Sequence, residues 1–389
     1  MTRVRWVRVL TVALYVLAVL VFLFSARRHC HRNTGCTELI AFGDRFEHTR
    51  LPAVLAAPHA VHLDSPGYDG QWYAQLAVEP LLRNRDLDRA LDTPQYRARR
   101  ILFAWTAYVF GRGQPKLILR VYAVQNIVAW LLLAGILLRW FPPTSARNFA
   151  AWFGCLWGIG ITFSFRFALL EGPSMVLITL GVWAMERQRP WLAAGILGAA
   201  GLGRETNMLA GVVLVDGIPR DWRAWATLAA KGLVVVVPML GWFAYVSWVF
   251  PRADGSVAGN FSVPLSGYVR QWIQTVSELY VDGWGTFARF SFAAMVGLTV
   301  QIGYLLWRRE WGSAWWRVGA AYSVLMLVLG EIVWEGYPGA FTRVLLPASF
   351  AFNVLVVKSR WFWPLVILGN LSVWHGLRMV GVPVLTGLL

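Results

Sequence analysis

Residues 6–25, WVRVLTVALYVLAVLVFLFS, form an apolar run that follows Arg3 and Arg5 near the start of the chain. About 20 such residues in a helix are enough to cross the hydrocarbon core of a bilayer. The run is longer than the apolar core of a signal peptide, and no clear small-x-small cleavage site follows it. The sequence therefore predicts an uncleaved first span that starts on the cytoplasmic side.

The same apolar character extends along nearly the whole chain. Of the 389 residues, 57% are hydrophobic and 14% are charged, whereas charged residues make up about a quarter of a soluble domain. The polar stretches between the apolar segments are too short to form a separate soluble domain. We therefore expect residues 1–389 to form a single transmembrane domain.

The positions of the basic residues predict where the later segments cross, because cytoplasmic loops carry an excess of Lys and Arg. Residues 191–215 are long enough for one span, but the basic segments that follow would then lie outside. A turn at Gly203-Arg204-Glu205 places all of them inside: Arg220, Arg223, Arg308, Arg309, Arg317, Lys358 and Arg360. On this topology the chain is an all-α polytopic transmembrane bundle of about eleven spans. Its first, large extracytoplasmic loop covers residues 27–100, and a second covers residues 251–287.

The net charge of +16 would suggest nucleic acid as the partner of a soluble protein. In this chain the excess of Lys and Arg has two other sources, so no nucleic-acid partner is expected. One source is the set of cytoplasmic loops. The other is the cluster Arg97, Arg99 and Arg100, which lies on the opposite side and could meet an anionic ligand.

Two of the three cysteines, Cys30 and Cys36, lie six residues apart in the first loop. In an oxidising compartment they could form a disulfide. His29 and His31 flank Cys30, so a metal site is conceivable, but no second ligand pair follows at zinc-finger spacing. We favour the disulfide, with two free thiols as the alternative.

The polar residues that are not cytoplasmic anchors all map to the extracytoplasmic side: Asp64, Asp69, Glu171, Arg204, Glu205 and Arg343. Ionisable groups in apolar segments cost roughly 2.5–3.5 kcal/mol each, so they usually line a cavity or pair with one another. Simpler explanations exist for single residues. Arg204 and Glu205 could be an ion pair at a helix turn, Glu171 a helix-start acid favoured by the dipole, and Asp64 a solvated loop residue.

The setting of Asp69 is unusual for a solvated loop acid, since Gly67-Tyr68-Asp69-Gly70-Gln71-Trp72-Tyr73 surrounds a carboxylate with glycines and aromatic rings. Aromatic faces suit sugar rings, and glycines let a backbone approach closely. Arg343 begins a span from the outside, where an arginine has no topological role, and this favours phosphate binding.

These residues resemble a known family. The segment Asp69-Gly70-Gln71-Trp72-Tyr73-Ala74-Gln75-Leu76-Ala77 is similar to the first-loop motif of GT-C glycosyltransferases, and most similar to that of PIG-V-type mannosyltransferases and related bacterial membrane proteins. Tyr68 stands before the aspartate where that type has Trp or His. The resemblance continues through residues 96–102, the Glu171 segment and residues 203–205, and ends at residues 343–347.

The resemblance implies an inverting transfer of a hexose such as mannose from a polyprenyl-phosphate carrier. The acceptor would be a glycan, a lipid or a protein on the extracytoplasmic face. It also implies a multi-pass protein of a bacterial inner (plasma) membrane, with membrane lipid around it. A phosphate leaving group needs little protonation, so one carboxylate acting on the acceptor hydroxyl can suffice.

The expected roles follow from this chemistry. Asp69 is the candidate general base and Asp64 the second choice. Arginines would bind the donor phosphate and stabilise its growing charge, in the order Arg204, Arg343, Arg100 and Arg97. The expected lining residues are Glu171, Glu205, Trp72, Tyr73 and Tyr68. No cofactor is required; Asp64, Asp69 and Glu171 could hold a divalent metal, but their spacing does not demand one.

A transporter or flippase for a lipid-linked or anionic solute is the main alternative, since it would also use arginines in a membrane cavity. Its ionisable groups should line both faces or the midplane of the membrane. The one-sided distribution in this sequence favours the enzyme. A non-catalytic scaffold would give the Asp69 loop and the Arg204 turn no purpose.

Overall fold

The computed structural model describes residues 2–251 and 259–381, and these residues are mostly helical. In chain order the α-helices are α1 (Thr2–Arg28), α2 (Pro52–Leu55), α3 (Gly70–Val78), α4 (Leu87–Ala90), α5 (Pro94–Ala98), α6 (Leu102–Phe110), α7 (Pro115–Ile136), α8 (Ala146–Trp157), α9 (Ile159–Arg166), α10 (Glu171–Glu186), α11 (Pro190–Gly203), α12 (Trp222–Val249), α13 (Ser266–Asp282), α14 (Ala288–Arg308), α15 (Ala314–Val328), α16 (Glu331–Trp334), α17 (Phe341–Val344), α18 (Leu346–Val356), α19 (Phe362–Gly369) and α20 (Val373–Met379). The 3-10 helices are Thr37–Ile40, Asp44–Thr49, Leu137–Arg139 and Glu205–Leu214, and the strands are β1 (Phe42–Gly43) and β2 (Val61–His62).

Four of these helices, α1, α7, α12 and α14, are long and apolar enough to cross a membrane. The pair α8 and α9, bent by 43° at its break, would make a fifth. A mostly helical fold with several helices that could cross a membrane agrees with the predicted helical bundle, but helix length does not establish the expected eleven crossings. Several apolar segments form shorter helices, such as α11 with 14 residues and α18 with 11. A proline begins or nearly begins each of these two helices, which limits their extension.

The expected turn at Arg204 is present. Helix α11 ends at Gly203, Arg204 is extended, and the 3-10 helix Glu205–Leu214 follows. The start of this 3-10 helix lies against the end of α11, and the side-chain amide of Asn207 donates a hydrogen bond to the carbonyl of Ala200 at 2.8 Å. The second segment is therefore helical, and it is a 3-10 helix.

The basic turns of the chain gather at one end of the bundle. There, Trp140 donates to Glu186 at 3.0 Å, connecting the turn after α7 with the end of α10. Arg317 lies 3.6 Å from Asp216, connecting the start of α15 with the turn before α12. The other end of α10 begins at Glu171, so the two ends of this helix mark opposite ends of the bundle.

The first loop is a packed structure. Its two strands pair in parallel, and the helix α3 is buried beneath them. Gln75 of α3 accepts a hydrogen bond from the backbone of Leu51 at 2.9 Å and donates one to the carbonyl of Ala90 at 2.7 Å. An added Cβ on Gly70 would lie 2.3 Å from the carbonyl oxygen of Phe167, so glycine allows α3 to start directly against the end of α9. This packing fixes Asp69 beside the start of α10.

The expected second loop, residues 251–287, contains the helix α13. Residues 252–258 of that loop lie outside the described residues.

Between α1, α7 and the α8–α9 pair the interior is aromatic, with the Phe22 and Trp130 rings stacked at 3.9 Å. Such packing holds together the half of the bundle that supports α10.

Candidate functional site

A cavity of about 520 Å³ lies at the end of the bundle where α10 begins, opposite the basic turns. The first loop, α5, the break after α11, and α17 all contribute to its wall. Its charged lining residues are five arginines and four carboxylates: Arg97, Arg99, Arg100, Arg204, Arg343, Asp69, Asp92, Glu171 and Glu205. Tyr73 and Tyr96 line it as well. Such a set of opposed charges in one cavity is typical of a functional site.

Asp69 immediately precedes α3 and shares one arginine with a second carboxylate. Nη2 of Arg97 donates to Oδ1 of Asp69 at 2.8 Å and to Oδ2 of Asp92 at 2.7 Å. Burial raises the pKa of the Asp69 carboxyl, but the charge and hydrogen bond of Arg97, followed by the charges of Arg343 and Arg100, lower it more. The net pKa lies below the ordinary value, so Asp69 is ionised and able to accept a proton at neutral pH.

Each guanidinium nitrogen of Arg100 donates one hydrogen bond. Its Nε donates to Glu205 at 2.9 Å, and its two terminal nitrogens donate to the hydroxyls of Tyr73 at 3.1 Å and Tyr96 at 2.6 Å. Nη1 of Arg97 also donates to the Tyr73 hydroxyl, at 3.3 Å. One tyrosine therefore connects the Asp69 side of the cavity with the Glu205 side.

Glu171 lies between two arginines from distant parts of the chain. Arg204 makes a hydrogen-bonded ion pair with it, and Nη1 of Arg343 lies 3.5 Å from the same carboxylate oxygen. Arg343 also reaches the Tyr68 hydroxyl at 3.4 Å and lies over the Phe163 ring. The pairing considered from the sequence, between the adjacent Arg204 and Glu205, is replaced by pairs across elements.

Three expected site residues, Asp64, Trp72 and Tyr68, are not among the lining residues of the cavity, although the Tyr68 hydroxyl accepts a hydrogen bond from the lining Arg343. Asp64 is exposed at a positive φ of 53°, in a turn where its backbone N–H donates to Asp44, and it does not line the cavity. Trp72 is buried with its ring 5.2 Å from that of Phe46, and it does not line the cavity either. The lining of the cavity therefore differs from the expected set at these positions. Trp72 points away from the cavity because adjacent side chains on a helix lie about 100° apart and the neighbouring Tyr73 side chain lines the cavity.

Two charged lining residues were not singled out as site residues. Asp92 reads in the sequence as a solvated loop acid, and only its position five residues before Arg97 suggests a pair. Arg99 belongs to the basic cluster of Arg97, Arg99 and Arg100. Within the described part of the chain it makes no ion pair; its guanidinium lies over the Phe243 ring at 5.0 Å and donates weakly to Gln95 at 3.4 Å. Among the described residues, Arg99 is thus the lining arginine that has no carboxylate partner.

Cys30 and Cys36 are disulfide-bonded. Close to them, His29 and His31 donate to the two oxygens of Glu38 at 2.8 and 2.9 Å, and Arg166 lies 3.5 Å from the same carboxylate. Among residues 2–251 and 259–381, no group of three or more His, Cys, Asp or Glu side chains is arranged to hold a metal ion. In the cavity, Asp69, Glu171 and Glu205 all pair with arginine.

An apolar groove of about 370 Å³ adjoins the cavity, between α6, α11 and α12. Its lining residues are chain neighbours of cavity residues: Ile101 follows Arg100, Trp242 precedes Phe243, and Leu202 lies two residues before Arg204. The site therefore combines a charged chamber with an adjacent apolar groove, an arrangement that suits an amphipathic anion.

No protein-family model, curated protein or solved structure matches the chain.

Proposed function

We propose that this protein is a membrane glycosyltransferase of GT-C type with about eleven crossings. It transfers a hexose such as mannose from a polyprenyl-phosphate donor to an acceptor hydroxyl, with inversion. The observation that carries the proposal is that an ionised carboxylate, Asp69, shares one cavity with five arginines. A base and a phosphate-binding surface are the two elements that this reaction requires.

In the proposed reaction, the acceptor oxygen attacks the anomeric carbon on the face opposite the phosphate. The new C–O bond forms as the bond to the phosphate oxygen breaks, and that oxygen leaves with the electron pair. The hydroxyl proton passes to Asp69. Because the leaving phosphate gains negative charge, positive groups around it lower the barrier.

The hydrogen-bond pattern favours some arginines over others as phosphate ligands. Arg97 and Arg100 are already occupied by carboxylates and tyrosines. Arg204 and Arg343 share one carboxylate, and Arg99 makes no ion pair among the described residues. We therefore place the phosphate among Arg99, Arg204 and Arg343. This adds Arg99 to the two arginines ranked first from the sequence and leaves Arg100 and Arg97 last.

The groove beside the cavity suits the prenyl chain. Its lining is apolar apart from backbone, with Ile101, Trp105, Leu202, Val237 and Trp242 as its larger side chains. An isoprenoid in that groove would leave its phosphate at the level of Arg99 and Arg100, which adjoin Ile101 in the chain. A donor with an apolar chain and a charged head would explain why the charged cavity lies beside an apolar groove.

The distribution of charge supports an active site on the extracytoplasmic side. The basic turns lie at the end of the bundle opposite the cavity, and Lys and Arg prefer cytoplasmic loops. A bacterial inner membrane would place the Cys30–Cys36 disulfide in an oxidising compartment.

The test is transfer from a polyprenyl-phosphate sugar by the purified protein in lipid. Asp69→Asn removes the base while keeping its size, so transfer should fall by roughly 10²–10⁴-fold while donor binding survives. Asp64→Asn is the matched control: asparagine tolerates the same positive φ, the residue lies outside the cavity, and transfer should be retained. Arg204→Ala or Arg343→Ala should weaken donor binding instead.

Full transfer by Asp69→Asn would remove the base assignment. Donor binding without transfer, combined with movement of the donor between leaflets, would favour the flippase. If no polyprenyl-phosphate sugar binds to the wild-type protein, the enzyme proposal fails.

A further inference from the structure

Arg97 binds two carboxylates, that of the candidate base Asp69 and that of Asp92. Asp92 binds this guanidinium in a bidentate way, with Nε at 2.9 Å and Nη2 at 2.7 Å. Asp69 receives a single hydrogen bond from Nη2 at 2.8 Å. The Arg97 side chain is only 9% exposed, so its orientation is determined by these contacts and by Tyr73.

An arginine beside a general base has two opposing effects. It keeps the carboxylate ionised, but it also reduces the tendency of that carboxylate to accept a proton. General-base catalysis works best when the basicity of the group is matched to the working pH. A second carboxylate on the same guanidinium offsets part of its charge at the position of Asp69.

We propose that Asp92 is a positioning residue that fixes Arg97 beside Asp69 and offsets part of its charge, so that Asp69 remains basic enough to accept the acceptor proton. This inference rests on the proposed transferase function. In this arrangement Arg97 binds the carboxylates of Asp69 and Asp92 and is not a ligand of the donor phosphate.

The other groups around Asp69 come from several elements. Arg343 of α17 and Arg100 after α5 add positive charge, and Tyr68 and Tyr73 lie on either side of Asp69 in the chain. Glu171 of α10 offsets the charge of Arg343. A substitution at Asp92 leaves all of these in place. Besides Arg97, the Asp92 carboxylate accepts hydrogen bonds from the backbone N–H and the hydroxyl of Thr93, at 2.8 and 3.1 Å, so the part that acts through Arg97 is measured with a double variant.

The experiment compares Asp92→Asn with Asp92→Glu in purified protein in lipid. Asparagine keeps one oxygen acceptor for Arg97 but removes the charge, so the pKa of Asp69 should move further down and kcat should fall roughly ten-fold with KM nearly unchanged. Glutamate restores the charge and should recover most of kcat. The exposed Asp88→Asn, in the same loop and outside the cavity, is the control for a general loop effect.

A double variant separates charge sharing from a merely structural role. If Asp92 acts through Arg97, Asp92→Asn should lower kcat by less than two-fold in a protein that already carries Arg97→Gln. An equal cost in both backgrounds would overturn the proposal, as would a kcat unaffected by Asp92→Asn. Thermal unfolding of each variant shows whether it has folded, and Asp92→Glu remains informative if the asparagine variant has not.

A second readout does not depend on activity. The infrared carboxyl band of protonated Asp69, identified by its loss in Asp69→Asn, should titrate at lower pH in Asp92→Asn than in the wild type. An unchanged or higher midpoint would contradict charge sharing. A lower midpoint in a protein that transfers no sugar would support charge sharing while the transferase proposal fails.

Discussion

Glu171 offers the sharpest test of the charge arrangement, because it lies between Arg204 and Arg343 and its side chain is only 8% exposed. Glu171→Gln keeps the size and one oxygen acceptor but removes the negative charge. Two buried guanidinium groups would then face a neutral amide. Removing one partner of a buried ion pair costs about 3–5 kcal/mol, because the remaining charge is left uncompensated.

A surface ion pair of similar chemistry provides the matched control. Arg270 and Glu331 also make a close ion pair, at 2.6 Å, but their side chains are 67% and 43% exposed. Exposed pairs contribute about 0–1 kcal/mol, so Glu331→Gln should change stability little. The difference in burial between Glu171 and Glu331 therefore predicts the order of the two effects.

The assay is thermal unfolding in lipid nanodiscs, followed by the fluorescence of the 23 tryptophans. We expect Glu171→Gln to lower the midpoint by roughly 5–10 °C, given about 2–4 °C per kcal/mol in domains of 150–250 residues and less in larger ones. Polyprenyl phosphate should restore more of the midpoint in this variant than in the wild type, since the anion replaces the missing charge. If Glu171→Gln unfolds at the same temperature as Glu331→Gln, the reasoning is refuted.

Gly198 of α11 faces α12, where an added Cβ would lie 2.5 Å from the carbonyl oxygen of Val234; Gly198→Ala should destabilise the protein by about 1–3 kcal/mol. Gly195→Ala, where an added Cβ meets nothing within 4 Å, should be neutral or stabilising by up to ~1 kcal/mol; equal midpoints for the two variants would contradict the close approach of α11 and α12. At Glu38, the hydrogen bond from His29, which outweighs burial, and a further one from His31 lower the pKa from 4.5 to about 2. Its ionised form therefore stabilises the fold above pH 4.5, and this contribution is lost as the pH falls towards 2. Glu38→Gln should remove that part of the acid sensitivity, measured as unfolding midpoints at pH 6, 4 and 3; an identical acid profile in both proteins would count against it.

Residues 6–25 and the basic segments were sufficient to predict a helical bundle and the break at Arg204, because helix length and loop charge act locally. The shorter helices were harder to predict. Nothing in the apolar pattern of residues 190–203 or 346–356 shows whether such a segment crosses alone or packs beside a neighbour. Tertiary packing determines that, and hydropathy does not report it.

The residues of the cavity were partly predictable for a similar reason. Charges in apolar surroundings are rare enough to be noticed, so Glu171, Arg204 and Arg343 could be identified singly. Their partners could not, since Arg100 and Glu205 are 105 residues apart. Asp92 was missed because its importance comes from the geometry of one guanidinium rather than from its neighbours in sequence.

The Tyr73 hydroxyl accepts hydrogen bonds from both Arg97 and Arg100, so the two halves of the cavity do not respond to substitution independently. Losses measured one residue at a time on either side should not sum to the loss of both. Substitutions of Arg97 and Arg100 are therefore expected to have coupled effects. Tyr73→Phe is the substitution that would let them vary separately.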